Sequence, residues 1–240
     1  MKPLEKLKSI LGHEYESEDG ELYKVNLLSG MSEQEIDEFK KLLPDNFLPV
    51  EVEELLKFSR GFEFYGLEEV RFDSFGDFGF EEMFPYSVQL AGDGFGNFWI
   101  LDVDSKGDWG KVYYVCHDPA VVVKHSQSLS EFIGHVDDFG KKGSDSHLDT
   151  IHEKTVMDIW TSKVGIMEKN ERDYNFPNNI KDQLPEMFLV ADLEHEPIKT
   201  GFAWGKYGAN SKIIRVGDKP IWVVEKKIKQ GFLARLFNRN

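Results

Sequence analysis

The feature that most constrains this chain is a run of short apolar segments between residues 86 and 124: YSVQLA (86–91), NFWILDV (97–103), KVYYVCH (111–117) and AVVVK (120–124). Turn-forming residues separate them: Gly92-Asp93-Gly94 with Gly96, then Lys106-Gly107-Asp108, then Asp118-Pro119. Segments of this length, rich in valine and aromatic residues and bounded by glycine, aspartate and proline, read as strands. Strands this close together, joined by tight turns, predict an antiparallel meander.

Around the meander the apolar spacing becomes helical. Leu4, Leu7, Ile10 and Leu11 share one face of a short helix over 3–11, and ELYKVNLL at 21–28 reads as a strand. Ser32 and Glu35 stand three apart as a capping box, in which the hydroxyl accepts an orphan amide and the carboxylate reaches back. The helix behind them turns Ile36, Phe39 and Leu43 inward and stops at Pro44. A second helix starts after Pro49, with Val52, Leu55, Leu56 and Ser59 on one side and Gly61 placed as its left-handed terminator. Ser128 and Glu131 repeat the capping pattern ahead of Leu129, Phe132, Ile133 and Val136.

The chain then changes character. GKKGSDSHLD at 140–149 reads as a linker, followed by a helix over 150–168 carrying Val156, Ile159, Trp160, Val164 and Met167. Strands are predicted at 187–193, 212–217 and 220–227, and a basic tail, KKIKQGFLARLFNRN, closes the sequence. The expectation is therefore an α+β fold, with a central antiparallel sheet and helices packed on it over 1–140. A smaller α/β extension follows over 150–240.

Charge divides the chain at the same place. The net charge is −14. Residues 1–140 hold 29 Asp and Glu against 12 Lys and Arg, or −17, and residues 141–240 hold 14 against 17, or +3. An acidic surface repels nucleic acid and anionic membranes and draws in basic partners. With Cys116 as the single cysteine, no intrachain disulfide can form, which fits a reducing compartment. No stretch reads as a signal peptide or approaches the roughly 18–20 apolar residues of a membrane span. Together these predict a cytoplasmic protein.

The motifs that could carry chemistry fail on context. Gly92-Asp93-Gly94-Phe95-Gly96-Asn97 imitates a phosphate loop, but a strand follows it where a helix N-terminus is needed. Asp102, Asp104 and Asp108 imitate the start of a calcium loop, but the fifth position is Lys106 and the twelfth is Tyr113 in place of a bidentate glutamate. The seven histidines are scattered, His152-Glu153 lacks the second histidine of a zincin helix, and nothing completes a zinc set with Cys116. Cys116 sits in an apolar strand and reads as a buried, inert thiol. No serine lies in a nucleophile elbow. Catalytic residues, metal and cofactor are each expected to be absent.

The most unusual stretch is 72–84, where phenylalanines alternate with glycine and acids. The phenylalanines read mainly as core. Asp73, Asp77, Glu81 and Glu82, with Asp93 nearby in sequence, are the candidate partner-binding residues.

One resemblance joins these pieces. Leu48-Pro49, a helix, Phe58 and Gly61 come first. Leu90-Ala91-Gly92-Asp93-Gly94-Phe95-Gly96-Asn97-Phe98-Trp99-Ile100-Leu101-Asp102, Gly110-Lys111-Val112-Tyr113 and Ser128-Leu129-Ser130-Glu131-Phe132-Ile133 follow in order. This resembles the SUKH superfamily, the Smi/Knr-type domain of many bacterial immunity proteins, over roughly residues 31–140. The resemblance implies an α+β fold with structural roles for Pro49, Gly61, Gly92, Gly94, Gly96, Trp99 and Gly110. It also implies no enzyme activity, and a protein partner, often a nuclease toxin, that is neutralised by direct binding. A regulatory scaffold with several partners is the alternative, and a metal-dependent enzyme the more distant one.

Overall fold

The computed structural model describes residues 1–17, 19–76, 78–162, 166–168, 174–208 and 210–227 of the 240-residue chain. Its N-terminal part runs α1 (Pro3–Ile10), β1 (Tyr15–Glu16), β2 (Leu22–Tyr23), β3 (Asn26–Leu27), α2 (Glu33–Lys40), α3 (Val50–Phe58), β4 (Gly61–Phe64) and β5 (Glu68–Arg71). The meander follows as β6 (Ser87–Gly92), β7 (Phe98–Val103), β8 (Trp109–His117) and β9 (Ala120–Ser126), and then α4 (Leu129–Lys142). The rest comprises α5 (His147–Thr150), α6 (Val156–Ser162), β10 (Ile166–Glu168), α7 (Asn178–Lys181), β11 (Phe188–Asp192), β12 (Gly201–Phe202), β13 (Ile213–Arg215) and β14 (Ile221–Glu225).

The fold is mixed α+β around a central antiparallel sheet ordered β12-β9-β8-β7-β6. The meander appears as expected, and its strands β7, β8 and β9 have two apolar faces. Trp99, Leu101, Val112, Tyr114, Cys116, Val121 and Val123 point into a core roofed by α1, α3 and α4. Ile100, Tyr113, Val115 and Val122, the alternate residues, point into a second core with Ala191, Ile213, Trp222 and Val224. Those last residues belong to a second antiparallel sheet, ordered β10-β11-β14-β13. Its far side, with Val190, Ile214 and Val223, packs on Phe176 and on Ile180 of α7. The order of layers is helices, sheet, sheet, short helix. Continuous runs such as VYYVC and VVV are thus explained by burial on both faces, the pattern expected of a sheet covered twice.

The predicted capping box at α2 forms: Ser32 Oγ accepts from the Glu35 amide at 3.3 Å, and the Ser32 amide donates to Glu35 at 2.8 Å. At α4 only half of it forms. Ser128 Oγ accepts from the Glu131 amide at 3.2 Å, but Glu131 reaches past Ser128 to the Gln127 amide at 2.6 Å.

Gly61 does not terminate α3. The helix ends at Ser59 in extended backbone, and Gly61 opens β4, where a Cβ would lie 2.1 Å from the Val70 carbonyl oxygen. Glycine is needed there for strand approach. The predicted strand 21–28 is two short pieces, β2 and β3. The stretch 141–149 holds the end of α4, a 3-10 turn and the start of α5, with Ser146 and Leu148 buried. The helix predicted over 150–168 runs only to Ser162, and Ile166–Glu168 form β10. Val164 and most of the basic tail lie outside the described residues.

Three buried ties hold the C-terminal part to the central sheet. Arg215 of β13 makes a bidentate ion pair with Asp102 of β7, at 2.7 and 2.6 Å, and also donates to the Met83 carbonyl. Lys124 of β9, 2% exposed, donates to the carbonyls of Leu193 and Glu196 at 3.0 and 2.5 Å. β12 itself pairs with β9, and a Cβ on Gly201 would fall 2.0 Å from the Val122 carbonyl oxygen.

Candidate functional site

The acids singled out in the sequence have separate local roles. Asp73 is nearly covered and takes a bidentate pair from Arg71, with both bonds at 2.9 Å and Arg60 at 3.9 Å. Glu81 accepts from the Gly79 amide at 2.7 Å, and surrounding backbone amides hold its carboxyl below the usual range. Glu82 is exposed, and Asp77 lies outside the described residues. Asp93 ties the β6–β7 turn together. It accepts from the Phe95 amide (2.9 Å), the Asn97 amide (3.2 Å), the Asn97 side chain (2.6 Å) and the Tyr114 hydroxyl (3.1 Å). Burial pushes its carboxyl up, but these donors outweigh that and hold it below its ordinary value. Gly94 and Gly96, at φ 77° and 86°, give the left-handed backbone that turn requires.

The other motif residues serve the framework. Pro49 caps α3, and Trp99 is buried against Tyr114 at 4.9 Å. A Cβ on Gly110 would lie 3.1 Å from the Asp102 carbonyl oxygen. Burial pushes the Cys116 thiol up, as expected of an inert cysteine. Asp102 is committed to Arg215, and Asp104 accepts from the amides of Lys106 and Asp108. Among the described residues, no group of three histidine, cysteine, aspartate or glutamate side chains is arranged to hold a metal ion.

An open acidic, aromatic surface forms elsewhere, where β1, β2, the β4–β5 turn and the end of α4 meet. One cleft there, of about 620 Å³, is lined by Glu14, Tyr15, Glu16, Tyr23, Tyr65, Phe139, Lys141 and Asp149. It continues over Tyr23, Tyr65 and Gly66 into a shallower groove edged by Lys24, Glu63 and Glu69. Five carboxylates thus stand beside two ammonium groups; Lys24 pairs with Glu14 at 3.0 Å, Lys141 with Asp137 at 2.9 Å, and Glu69 takes Arg71 at 3.3 Å. The floor is a cluster of rings: Tyr15, Tyr23, Phe64 and Tyr65, with neighbouring centroids 5.1–5.4 Å apart.

Gly140 of α4 makes this floor possible, because a Cβ there would lie 2.4 Å from Tyr15 and 2.7 Å from Phe64. Asp137, one turn earlier, fixes the strand to the helix by accepting from the Tyr15 hydroxyl (3.0 Å) and pairing with His13 (2.7 Å) and Lys141. Burial raises its carboxyl, but the bonds from Lys141, His13 and Tyr15 win and hold it below the usual range. Sequence reasoning missed this surface because its residues are spread over 14–149. The only local trace is YESEDGELY at 15–23, where tyrosines bracket a block of acids.

Fold and surface together define an α+β domain with a helix-roofed central sheet and an acidic cleft floored by tyrosines. Residues 30–135 match the SMI1 / KNR4 family (SUKH-1), so that span of the chain is similar to a SUKH-type domain. Comparison with curated proteins and with solved structures gave no match. The cleft draws its carboxylates partly from inside that span (Glu63, Glu69) and partly from outside it (Glu14, Glu16, Asp149). Among the described residues, no helix is long and apolar enough to cross a membrane.

Proposed function

We propose that this protein acts by binding, and that it neutralises a basic protein toxin, such as a nuclease, whose positive face it covers. The observation that carries this reading is the cleft of five carboxylates over clustered tyrosines on the acidic side of the chain. A guanidinium or ammonium group gains there from paired carboxylates at the rim and from ring faces below. Long-range attraction from the −17 of residues 1–140 speeds encounter, and the aromatic floor supplies the buried anchor. The family's immunity-type, non-enzymatic character supports the same reading.

The test is capture by immobilised protein from the cells that make it, at low and high salt. It is repeated with Glu16→Lys/Glu63→Lys/Glu69→Lys and with Glu81→Lys/Glu82→Lys. The expected result is one dominant basic protein, retained by wild type and by the 81/82 variant and lost from the triple variant. With that partner purified, the triple variant should associate about 10–100 times more slowly at low salt and show a flatter salt dependence. Loss in the 81/82 variant alone would move the interface to the phenylalanine-rich segment. Several weak partners with no salt dependence would overturn the toxin reading in favour of a scaffold.

A further inference from the structure

Three histidines far apart in sequence meet inside the molecule. His125 comes from β9, His135 from the middle of α4 and His147 from the start of α5. The rings of His135 and His147 stack at 3.8 Å with only 14° between their planes. His125 stands edge-on to both, 5.4 Å from His135 and 4.8 Å from His147. His125 is fully buried, and the Nε2 atoms of His125 and His135 are buried without a hydrogen-bond partner. His125 Nδ1 bonds Ser126 Oγ at 2.7 Å, while His147 Nε2 donates to the His125 carbonyl at 2.9 Å.

Stacked parallel rings do not aim two lone pairs at one point, so this is no metal site. What the stack cannot hold is charge. Two imidazolium rings at 3.8 Å repel strongly in a water-poor setting, and a protonated Nε2 on His125 would place an unpaired charged donor in the core. The charged groups facing the stack are few. Glu131 Oε1 lies 3.6 Å from His135 Nε2 and favours its protonation, as does Asp138, itself paired to Lys142 at 2.7 Å. Lys199, in the segment before β12, acts against protonation of His125 and His147. Burial, the first cause for each of the three, wins: all are held below the ordinary histidine range, His135 at about 4.

We propose that this imidazole stack is a pH-sensitive latch, and that acidification releases the helical segment 146–162 from α4 and β9. His147 holds that segment at its first turn, and the segment's Leu148, Ile151, Val156 and Ile159 complete the helix-side core. The latch does not depend on the binding reading above. Because the folded pKa values lie below the unfolded value of about 6.5, the closed state binds fewer protons than the open one. The stabilisation is complete above about pH 6.5 and is lost as pH falls toward the folded values. Below pH 6 the opening constant rises by up to about tenfold per pH unit for each histidine that takes a proton on opening.

The test is amide hydrogen exchange on the whole chain between pH 7 and 5, corrected for intrinsic exchange rates, with His135→Gln/His147→Gln as comparison. Glutamine keeps an Nε2 donor for the His125 carbonyl and cannot be protonated. In wild type, protection over 146–162 should fall at least tenfold while β7 and β8 are unaffected, and in the variant that pH dependence should flatten. Protection that is independent of pH, or that keeps its slope in the variant, overturns the proposal. Should the variant not fold, imidazole NMR titration of wild type decides. Titration midpoints of His135 and His147 below the ordinary histidine value of about 6.5 support the latch, and midpoints at 6.5 or above overturn it.

Discussion

At the scale of single residues, Gly140 and Asp137 show how the cleft depends on atoms a composition cannot reveal. Alanine at position 140 would favour the helix by roughly 1 kcal/mol. Its Cβ would also drive into Tyr15 and Phe64, which sit where no methyl fits, and overpacking of that kind costs about 1–3 kcal/mol. Crowding wins, so Gly140→Ala should destabilise the protein by up to about 2 kcal/mol in chemical denaturation. A stabilised variant would show that the rings move aside freely. In the sequence, Gly140 reads as the start of a linker because glycine near a helix end signals termination. Nothing local distinguishes that from a helix residue pressed against rings 76 and 125 positions away. The three latch histidines were equally hidden: each alone is unremarkable, and only the packing of α4 and α5 on β9 brings them together.

At the scale of elements, the legible parts were those with strong local chemistry. The meander, both serine N-caps and the inward faces of α2, α3 and α4 follow from periodicity and capping, which depend on neighbours within a few residues. The turn of β6 and β7 was read correctly from its glycines, but the role of Asp93 was not, because Tyr114 reaches it from across the sheet. Asp93→Ala would leave that hydroxyl, the Asn97 side chain and two amides without their acceptor, at a cost of about 2–3 kcal/mol. Its folded carboxyl is held low, so its contribution is present above the unfolded value near 3.9 and is lost as pH falls below it. Denaturation at pH 7 and pH 3 checks both: the gap between variant and wild type should shrink at pH 3. The doubly apolar strands were visible in the sequence as unbroken runs, and their meaning, a second sheet lying on the first, was the inference left undrawn.

At the scale of the whole molecule, the family-matched segment and the C-terminal part share a core, and the Asp102–Arg215 pair sits at their junction. The two residues are 113 positions apart, so the sequence offered Asp102 only as a failed calcium ligand. Arg215→Ala would leave the Asp102 carboxylate buried and unpaired and should cost about 3–5 kcal/mol. Asp102→Leu/Arg215→Met, which removes both charges, should recover most of that in the same denaturation assay. If the double variant is no better than the single one, hydrogen bonds from Arg215 to the Met83 and Asp218 carbonyls matter more than its charge partner. The outer strands of the meander are likewise met by parts outside it. Along β9, residues 199–205 take the backbone groups of Lys124, Val122 and Ala120. Along β6, Phe75 bridges Val88 and the Ser74 carbonyl accepts from Gln89. An open strand border is a template on which copies of a chain polymerise. Both templates here are occupied from within, so a fragment ending before residue 199 would lose one of these guards, bare the apolar face of the meander and be prone to fibril growth where the intact chain resists it.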